Sequence, residues 1–352
     1  MTTLFLASTP LHVFFSLGLM RGPFKDQAHT LVLIDQRPGE RDYIAEALEA
    51  SSTSEVSVVR FPALRSVGPA RRLLREISDF TAALAPSTLA IGNDRRTEFY
   101  AAVRGCPGAR RTYIDDGLYS YLPRQDAQPV WRQNLSSWRR RLKYGLHVER
   151  PSEIGGSQAV QDAYVLLPEQ VHSGLRGKPV QPLRPEWFAD AWVREVCMTA
   201  AVAAGFDAAR CEAIRLLLLL PHPRFLQAYP DLRQRIEALA RTHAERGDVV
   251  ALKAHPAGGG IPLHRQLSVP AEGVVEVPAR LPVEVLVPLL SGALVVGTLT
   301  TALLSMVSLG DRVTVRSVLP QSARGAGRRY NDRAFAVYES VGIRPIDDDA
   351  TA

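Results

Sequence analysis

One stretch, Tyr113-Ile114-Asp115-Asp116-Gly117-Leu118-Tyr119, places two adjacent acidic side chains and a glycine at the end of a short β-prone run. We expect a strand to end here and a loop to begin, which is where open α/β sheets bind their ligands. Adjacent carboxylates tend to raise the pKa of one of the pair, and a raised pKa suits a group that takes up a proton near neutral pH. A solvated Asp-Asp-Gly β-turn explains the same stretch, and this stretch alone favours that simpler interpretation.

On both sides of this stretch, apolar runs of strand length alternate with segments of helical spacing. We expect strands near residues 3–7, 29–35, 56–61, 87–91, 110–114, 164–167, 214–220, 249–253, 273–277 and 293–296. The intervening segments predict helices near residues 13–20, 40–50, 70–84, 97–103, 189–204, 231–246, 282–290 and 302–309. Strands that alternate with helices predict parallel, doubly wound sheets of the α/β class.

The length indicates two domains, because 352 residues exceed the usual size of one hydrophobic core. The proline-rich segment 179–187 resembles a linker, so we place the boundary near residue 190 and expect domains at 1–190 and 191–352. A hydrophobic content of 46% and a charged content of 22% are those of an ordinary globular protein.

The cysteines and the N-terminus point to the cytoplasm. Cys106, Cys197 and Cys211 form no Cys-x-x-Cys pair, which argues against both a zinc site and a disulfide framework and favours buried free thiols. The N-terminus lacks the basic and long apolar regions of a signal peptide. The apolar run at 214–220 is too short to cross a bilayer.

The net charge of +6 suggests an anionic partner: nucleic acid, an anionic membrane face or a phosphorylated donor. The basic segment Trp138-Arg139-Arg140-Arg141-Leu142-Lys143-Tyr144 fits two interpretations equally well. In the first, it contacts an anionic partner, which is either the inner membrane or an anionic acceptor. In the second, it is a solvated helix face whose aromatics belong to the core. Lysine and arginine are spread through both halves and no nucleic-acid-binding motif occurs, so we expect no nucleic-acid partner.

Two motifs of the second half suit a phosphate. Lys253-Ala254-His255-Pro256 ends a predicted strand with lysine and histidine on alternate residues, and Pro256 keeps His255 extended. Such a histidine can bind a phosphate or protonate a leaving oxygen, although a backbone-bonded histidine at a strand end is common. Thr300 and Thr301 follow another predicted strand and open a helix, which suits one phosphate, although an ordinary threonine N-cap explains them too. The P-loop and Gly-x-Gly-x-x-Gly spacings are absent, which argues against a dinucleotide.

Taken together and in this order, Asp115-Asp116-Gly117, His255-Pro256 and Thr300-Thr301 resemble the motif set of bacterial sialyltransferases. The opening Ser8-Thr9-Pro10-Leu11-His12 is similar to the first loop of the lipooligosaccharide sialyltransferase and polysialyltransferase groups. Threonines stand here in place of the commoner serines.

The resemblance implies an inverting, metal-independent glycosyltransferase of the GT-B fold, with two Rossmann-like α/β domains whose parallel sheets face a central cleft. Such an enzyme moves sialic acid or a related nonulosonic acid from a CMP-sugar to a cell-surface glycan or glycolipid acceptor. The first domain takes the acceptor and supplies the base, and the second takes the donor. Neither a cofactor nor a metal is implied.

The same resemblance assigns roles to individual residues. Asp115 is the expected general base, while Asp116 and Gly117 shape the turn. His255 contacts the CMP phosphate and assists its departure. Further substrate-binding candidates are Thr300 and Thr301 at the phosphate, Lys253 and Pro256 beside His255, Thr9 and His12 in the first loop, Asn93 and His222 by position, and Glu284 at a ribose hydroxyl. A solvated helix glutamate explains Glu284 at least as well.

Two other classes of function remain open. A CDP-glycerol-type or Kdo transferase of GT-B fold shares the Lys-x-His-Pro motif and the Ser/Thr helix start. A non-enzymatic basic protein that binds nucleic acid or a membrane accounts for the charge without any catalysis.

Overall fold

A computed structural model describes residues 1–37, 39, 41–51, 56–64, 67–122, 130–146, 148–149, 151–255, 267, 269, 273–318 and 329–346, with backbone alone at 130–136 and 329–330. The chain divides into two compact units, Met1–Trp187 and Phe188–Ala352. Each unit is built on its own parallel sheet.

In the described part of the first unit, seven parallel strands pair in the order β3-β2-β1-β4-β5-β6-β7. Their bounds are β1 Thr2–Ala7, β2 Ala28–Gln36, β3 Val56–Pro62, β4 Thr88–Ile91, β5 Arg110–Ile114, β6 Asp162–Val165 and β7 Val180–Pro182. The helices of this unit are Pro10–Arg21, Tyr43–Ala50, Val67–Leu84, Thr97–Gly105, Val130–Tyr144 and Ser173–Arg176, with 3-10 turns at Gly117–Ser120 and Pro168–Gln170.

Strand β1 lies at the point where the order of the strands reverses. It pairs with β2 on one side and with β4 on the other, so that Leu6 is level with Val32 and with Ile91. Leu4, Phe5 and Leu6 are at most 1% exposed, as expected for a strand covered by helices on both faces of a parallel sheet. In such sheets ligands bind outside the carboxyl ends of the strands at this switch point.

In the described part of the second unit, six parallel strands pair in the order β10-β9-β8-β11-β12-β13. Their bounds are β8 Ile214–Leu219, β9 Val249–Lys253, β10 Val274–Val277, β11 Leu294–Gly297, β12 Thr314–Ser317 and β13 Arg344–Pro345. The helices are Ala191–Ala203, Pro223–Ala228, Pro230–Glu245, Thr301–Leu309 and Arg329–Ser340, with 3-10 turns at Ala208–Ala213 and Val283–Leu286. Helix Pro185–Phe188 belongs to the first unit except for its last residue. The order reverses at β8, between β9 and β11.

The prediction that segment 179–187 is a linker is wrong, because this segment belongs to the first unit. Val180–Pro182 pairs with β6 as the edge strand β7, a position that tolerates proline. The Trp187 ring lies 6.1 Å from that of Tyr164. It also packs so closely on Gly22 that a Cβ there would lie 2.4 Å from the ring.

Other expectations differ in detail. The helix expected at 282–290 is a short 3-10 turn, Val283–Leu286. Strands β12 and β13 and helix Arg329–Ser340 lack a strong sequence signal and were not predicted. The three cysteines are buried and free, as expected. Within the described ranges, none of the helices is both long and apolar enough to cross a membrane.

Candidate active site

In the first unit, the predicted site residues follow three neighbouring strands. Thr9 and His12 come after β1, Asn93 after β4, and Asp115 and Asp116 after β5. Because β1, β4 and β5 are adjacent and parallel, their carboxyl ends meet at one edge of the sheet. Residues from distant parts of the sequence are therefore brought together at the switch point.

Asp115 is completely buried and holds the loop together. Its Oδ1 accepts hydrogen bonds from the Gly117 backbone N–H and the Ser120 hydroxyl, both at 2.7 Å. Its Oδ2 accepts from the Leu166 backbone N–H at 2.8 Å and from the Tyr121 hydroxyl. Burial raises the pKa of Asp115 to about 6, although these four donors favour the charged form.

Asp116 is the partly exposed acid of the pair, with 12% of its side chain accessible. Its Oδ1 lies 2.9 Å from Nε2 of His12, and its Oδ2 accepts a hydrogen bond of 3.2 Å from Nδ2 of Asn93. Three side chains that the sequence separates by up to about a hundred residues thus form one cluster, which we call the His-Asn-Asp cluster.

The loop after β1 fixes the orientation of His12. Thr9 caps helix Pro10–Arg21, and its hydroxyl accepts from the His12 backbone N–H at 3.4 Å. The Ser8 backbone N–H donates to Nδ1 of His12 at 3.3 Å. Because Nδ1 is an acceptor, the neutral imidazole carries its proton on Nε2 and donates it to Asp116.

Glycines at two positions make this arrangement possible. A Cβ on Gly92 would lie 2.2–2.3 Å from the ring atoms of His12, so only glycine leaves room for that ring. Gly117 has φ +69°, a conformation that glycine adopts without steric cost. Its backbone N–H can therefore reach Asp115.

In the second unit, His222 and His255 follow neighbouring strands, β8 and β9. Their ring centroids are 5.5 Å apart in an edge-to-face arrangement. His222 caps helix Pro223–Ala228, because its Nδ1 accepts from the Arg224 backbone N–H at 3.2 Å. Partial burial, followed by the proximity of His222 and Lys253, lowers the pKa of His255.

Lys253 and Glu284 are buried and interact electrostatically. The Lys253 ammonium donates to the carbonyls of Ala254 and Ala279 at 3.1 and 2.8 Å. Burial lowers the pKa of Lys253 to about 8 and raises that of Glu284, and each charge partly offsets the shift of the other. The interpretation of Glu284 as a solvated helix residue is wrong, because it is only 9% exposed.

Thr300 is the N-cap of helix Thr301–Leu309, directly after β11. Its hydroxyl accepts from the Ala302 backbone N–H at 3.4 Å. The buried Tyr338 hydroxyl accepts from the Thr300 N–H and donates to the Thr300 carbonyl, both at 2.7 Å. These two hydrogen bonds fix the start of the helix, and the positive end of the helix dipole suits an anion.

The predicted residues thus fall into two groups, one at the switch point of each sheet. Pro256 lies outside the described residues. In the described part of the chain, no group of three or more His, Cys, Asp or Glu is arranged to hold a metal ion.

Several residues of both groups were not predicted. Ser120, Tyr121 and Leu166 hold Asp115, Ser8 and Gly92 hold His12, and Tyr338 holds Thr300. Gly92 and Ser8 follow apolar strands, and this position could have marked them as candidate site residues. Tyr338 carries no sequence signal, because only the folded chain brings it to Thr300.

Neither a protein-family model nor a curated protein matches the sequence. Solved structures are nevertheless similar over nearly the whole chain. An α/β-galactoside α-2,3-sialyltransferase from the luminous marine bacterium Photobacterium phosphoreum is 12% identical, with TM-score 0.56 over 96% of this chain and 94% of that one. The GT-B domain of a sialyltransferase from Photobacterium damselae is 12% identical, with TM-score 0.54 over 98% of each chain.

A putative UDP-N-acetylglucosamine 2-epimerase from Listeria monocytogenes is also similar, at 14% identity and TM-score 0.50 over 97% of this chain and 87% of that one. At identities this low, the structural similarity establishes the fold alone. The prediction of two α/β domains with parallel sheets, as in the GT-B fold, is confirmed.

Proposed function

We propose that this protein is an inverting, metal-independent glycosyltransferase that moves sialic acid or a related nonulosonic acid from a CMP-sugar to a glycan or glycolipid acceptor. The observation that carries the proposal is the His-Asn-Asp cluster at the switch point of a GT-B-like first unit. The ordered motifs that resemble those of bacterial sialyltransferases support the choice of donor.

We assign the role of general base to Asp116. The motif resemblance had given this role to Asp115. A base must reach the hydroxyl of an external acceptor. The oxygens of Asp115 are enclosed and accept four hydrogen bonds, whereas Asp116 is partly accessible. Donation from His12 and Asn93 orients the Asp116 carboxylate.

The proposed reaction is a single displacement. Asp116 takes the proton of the acceptor hydroxyl while that oxygen forms a bond to the anomeric carbon of the donor. The bond between this carbon and the CMP phosphate oxygen breaks, and CMP leaves with the electron pair. The N-terminus of helix Thr301–Leu309 and a protonated His255 stabilise the charge that develops on the leaving phosphate.

Beside the loop after β1, a cavity of about 380 Å³ is our candidate for part of the acceptor site, although Asp116 itself does not line it. It is lined by Ser8 and Thr9, which hold His12, and by Asp35 and Arg96. Arg96 Nη2 lies 2.7 Å from Asp35 Oδ2, so the pair presents fixed donors and acceptors to sugar hydroxyls. Ligand sites typically measure about 300–1,000 Å³.

A second cavity of about 800 Å³ shares Gln36 and Arg37 with the first. Its wall combines apolar residues such as Pro62 and Leu73 with the basic residues Arg60 and Arg72. Because the two cavities lie side by side at these residues, we infer that an acceptor of more than one sugar unit can contact both.

The nucleotide preference tests this proposal. Thermal unfolding of the full chain is measured with CMP, CDP and UDP, and we expect CMP to raise Tm most, because a ligand that binds the native state stabilises it. A larger shift with CDP favours a CDP-glycerol-type transferase. A larger shift with UDP contradicts the proposed donor.

A further inference from the structure

Helix Val130–Tyr144 carries two large apolar side chains that face solvent. Trp138 is 59% exposed and Leu142 is 57% exposed. Because they are four residues apart, they lie next to each other on the same side of the helix. The interpretation in which the aromatics of this segment belong to the core is therefore wrong for Trp138.

Basic side chains surround this apolar pair. Arg139, Arg141 and Lys143 are all exposed, and each is next to Trp138 or Leu142 in the sequence. Such a combination of apolar and basic side chains is typical of helices that lie in the plane of a membrane surface.

The helix is fixed on the rest of the first unit. The Arg71 guanidinium, on helix Val67–Leu84, donates to the carbonyls of Leu142 and Lys143 at 2.6 and 2.7 Å. These bonds satisfy carbonyls that the end of a helix leaves without intrahelical partners. The exposed side chains therefore stand on an anchored element.

The helix to which Arg71 belongs also carries an exposed apolar side chain. Val67 is 44% exposed and lies one turn before Arg71, so the two share one side of helix Val67–Leu84. We call Val67, Trp138, Leu142, Arg139, Arg141 and Lys143 the lipid face.

We propose that the lipid face docks this protein on a bilayer that contains anionic phospholipids. Tryptophan favours the headgroup level of a membrane, and the aliphatic chains of Leu142 and Val67 suit the boundary with the acyl chains. The three cations complement acidic headgroups. Trp138 is the single aromatic residue of the lipid face, and Leu142 and Val67 give no platform on which successive bases could stack, so the surface suits lipid better than nucleic acid.

This inference goes beyond the proposed function and does not depend on it. Docking would bring the first unit to a surface that carries glycolipids, so it supplies a reason for a glycolipid acceptor. Binding to vesicles is measured without donor or acceptor. A failure to bind vesicles therefore leaves the proposed transfer reaction open, and a failure of the transfer reaction leaves membrane docking open.

The test is co-sedimentation of the full chain with vesicles. One set consists of phosphatidylcholine, and the other contains about one third phosphatidylserine. We expect binding to the anionic set, weak binding to the neutral set, and loss of binding as salt rises, because salt screens the cations. The double variant Trp138→Ser/Leu142→Ser should bind the anionic vesicles roughly tenfold less, with unchanged Tm.

The chain offers a matched control on helix Ala191–Ala203. Met198 and Val202 are also four residues apart and are 43% and 65% exposed, but they are not part of the lipid face. The variant Met198→Ser/Val202→Ser should bind like the wild type. Equal losses in both double variants would overturn the proposal, as would unchanged binding of the Trp138/Leu142 variant or no binding of the wild type. Tighter binding to single-stranded RNA than to anionic vesicles at the same salt would also overturn it.

Discussion

Nε2 of His12 lies 2.9 Å from Oδ1 of Asp116, although more than a hundred residues separate the two along the chain. The contact joins the loop after β1 to the loop after β5, two strands on either side of β4. It gives two adjacent carboxylates different surroundings, and these reverse the roles that the motif resemblance implied for them. Asp115 accepts hydrogen bonds from its own loop, and Asp116 is oriented by side chains from elsewhere in the sheet.

The first prediction separates the roles of the two acids. Asp116→Asn should lower kcat by about 10²- to 10⁴-fold with little change in Tm, because it removes a partly exposed base. Asp115→Asn should lower the free energy of unfolding by about 1–3 kcal/mol, because its amide cannot accept from every buried donor. CMP release and thermal unfolding measure the two effects. Loss of activity in the Asp115 variant alone, at unchanged Tm, would contradict our assignment.

A second prediction follows from the pKa of Asp115, which burial raises to about 6. The native state therefore binds a proton that the unfolded chain releases near pH 4. The stability that this proton contributes is complete below about pH 4 and is lost as pH rises through about 6. As pH rises from about 4 to about 6, the free energy of unfolding of the wild type, measured with urea, should fall relative to that of Asp115→Asn. If the difference in free energy of unfolding between the two proteins did not change between pH 4 and pH 7, a raised pKa of Asp115 would be excluded.

The third prediction concerns Gly92, which leaves room for the His12 ring. Gly92→Ala should lower kcat by about 10- to 100-fold, because the displaced ring no longer orients Asp116. The rise in Tm caused by CMP should persist, since His255 and Thr300 belong to the other unit. Gly108→Ala is the control, because a Cβ there meets no atom within 4 Å. Equal activity of the two variants would show that the position of His12 does not matter.

A fourth prediction concerns the pH profile of kcat/KM. If His255 protonates the leaving phosphate, activity should fall as pH rises through its pKa, which lies below the ordinary value of about 6.5. His222→Asn removes the neighbouring imidazole, which lowers the pKa of His255, and keeps a side chain that can cap the helix. This variant should shift the alkaline limb to higher pH. An unchanged limb would mean that a group other than His255 titrates.

The sequence was sufficient for the fold because apolar strands alternate with amphipathic helices over most of the chain. The prediction failed at 179–187, where the proline-rich composition of an edge strand was taken for a linker. It also missed β12, β13 and the last helix, whose short or polar runs give a weak periodic signal. Edge strands are specified mainly by the tertiary contacts they make.

Prediction of the site was more limited. The motifs indicated which residues lie at strand ends, and those residues do follow neighbouring strands in each sheet. Which of two adjacent acids is enclosed depends on Ser120, Tyr121 and Leu166, and no pattern linked these residues to Asp115. Likewise, the contact of Tyr338 with Thr300 joins residues far apart in the sequence and depends entirely on packing.

The most direct test of the account is a transfer assay with the full chain. CMP-linked nonulosonic acids are offered with oligosaccharide and glycolipid acceptors in the presence of EDTA, and CMP release and the anomeric configuration of the product are followed. We predict acceptor-dependent CMP release and a glycoside of inverted configuration from the wild type, with both slowed by about 10²- to 10⁴-fold in Asp116→Asn. Full transfer by Asp116→Asn, or a product of retained configuration, would contradict the account.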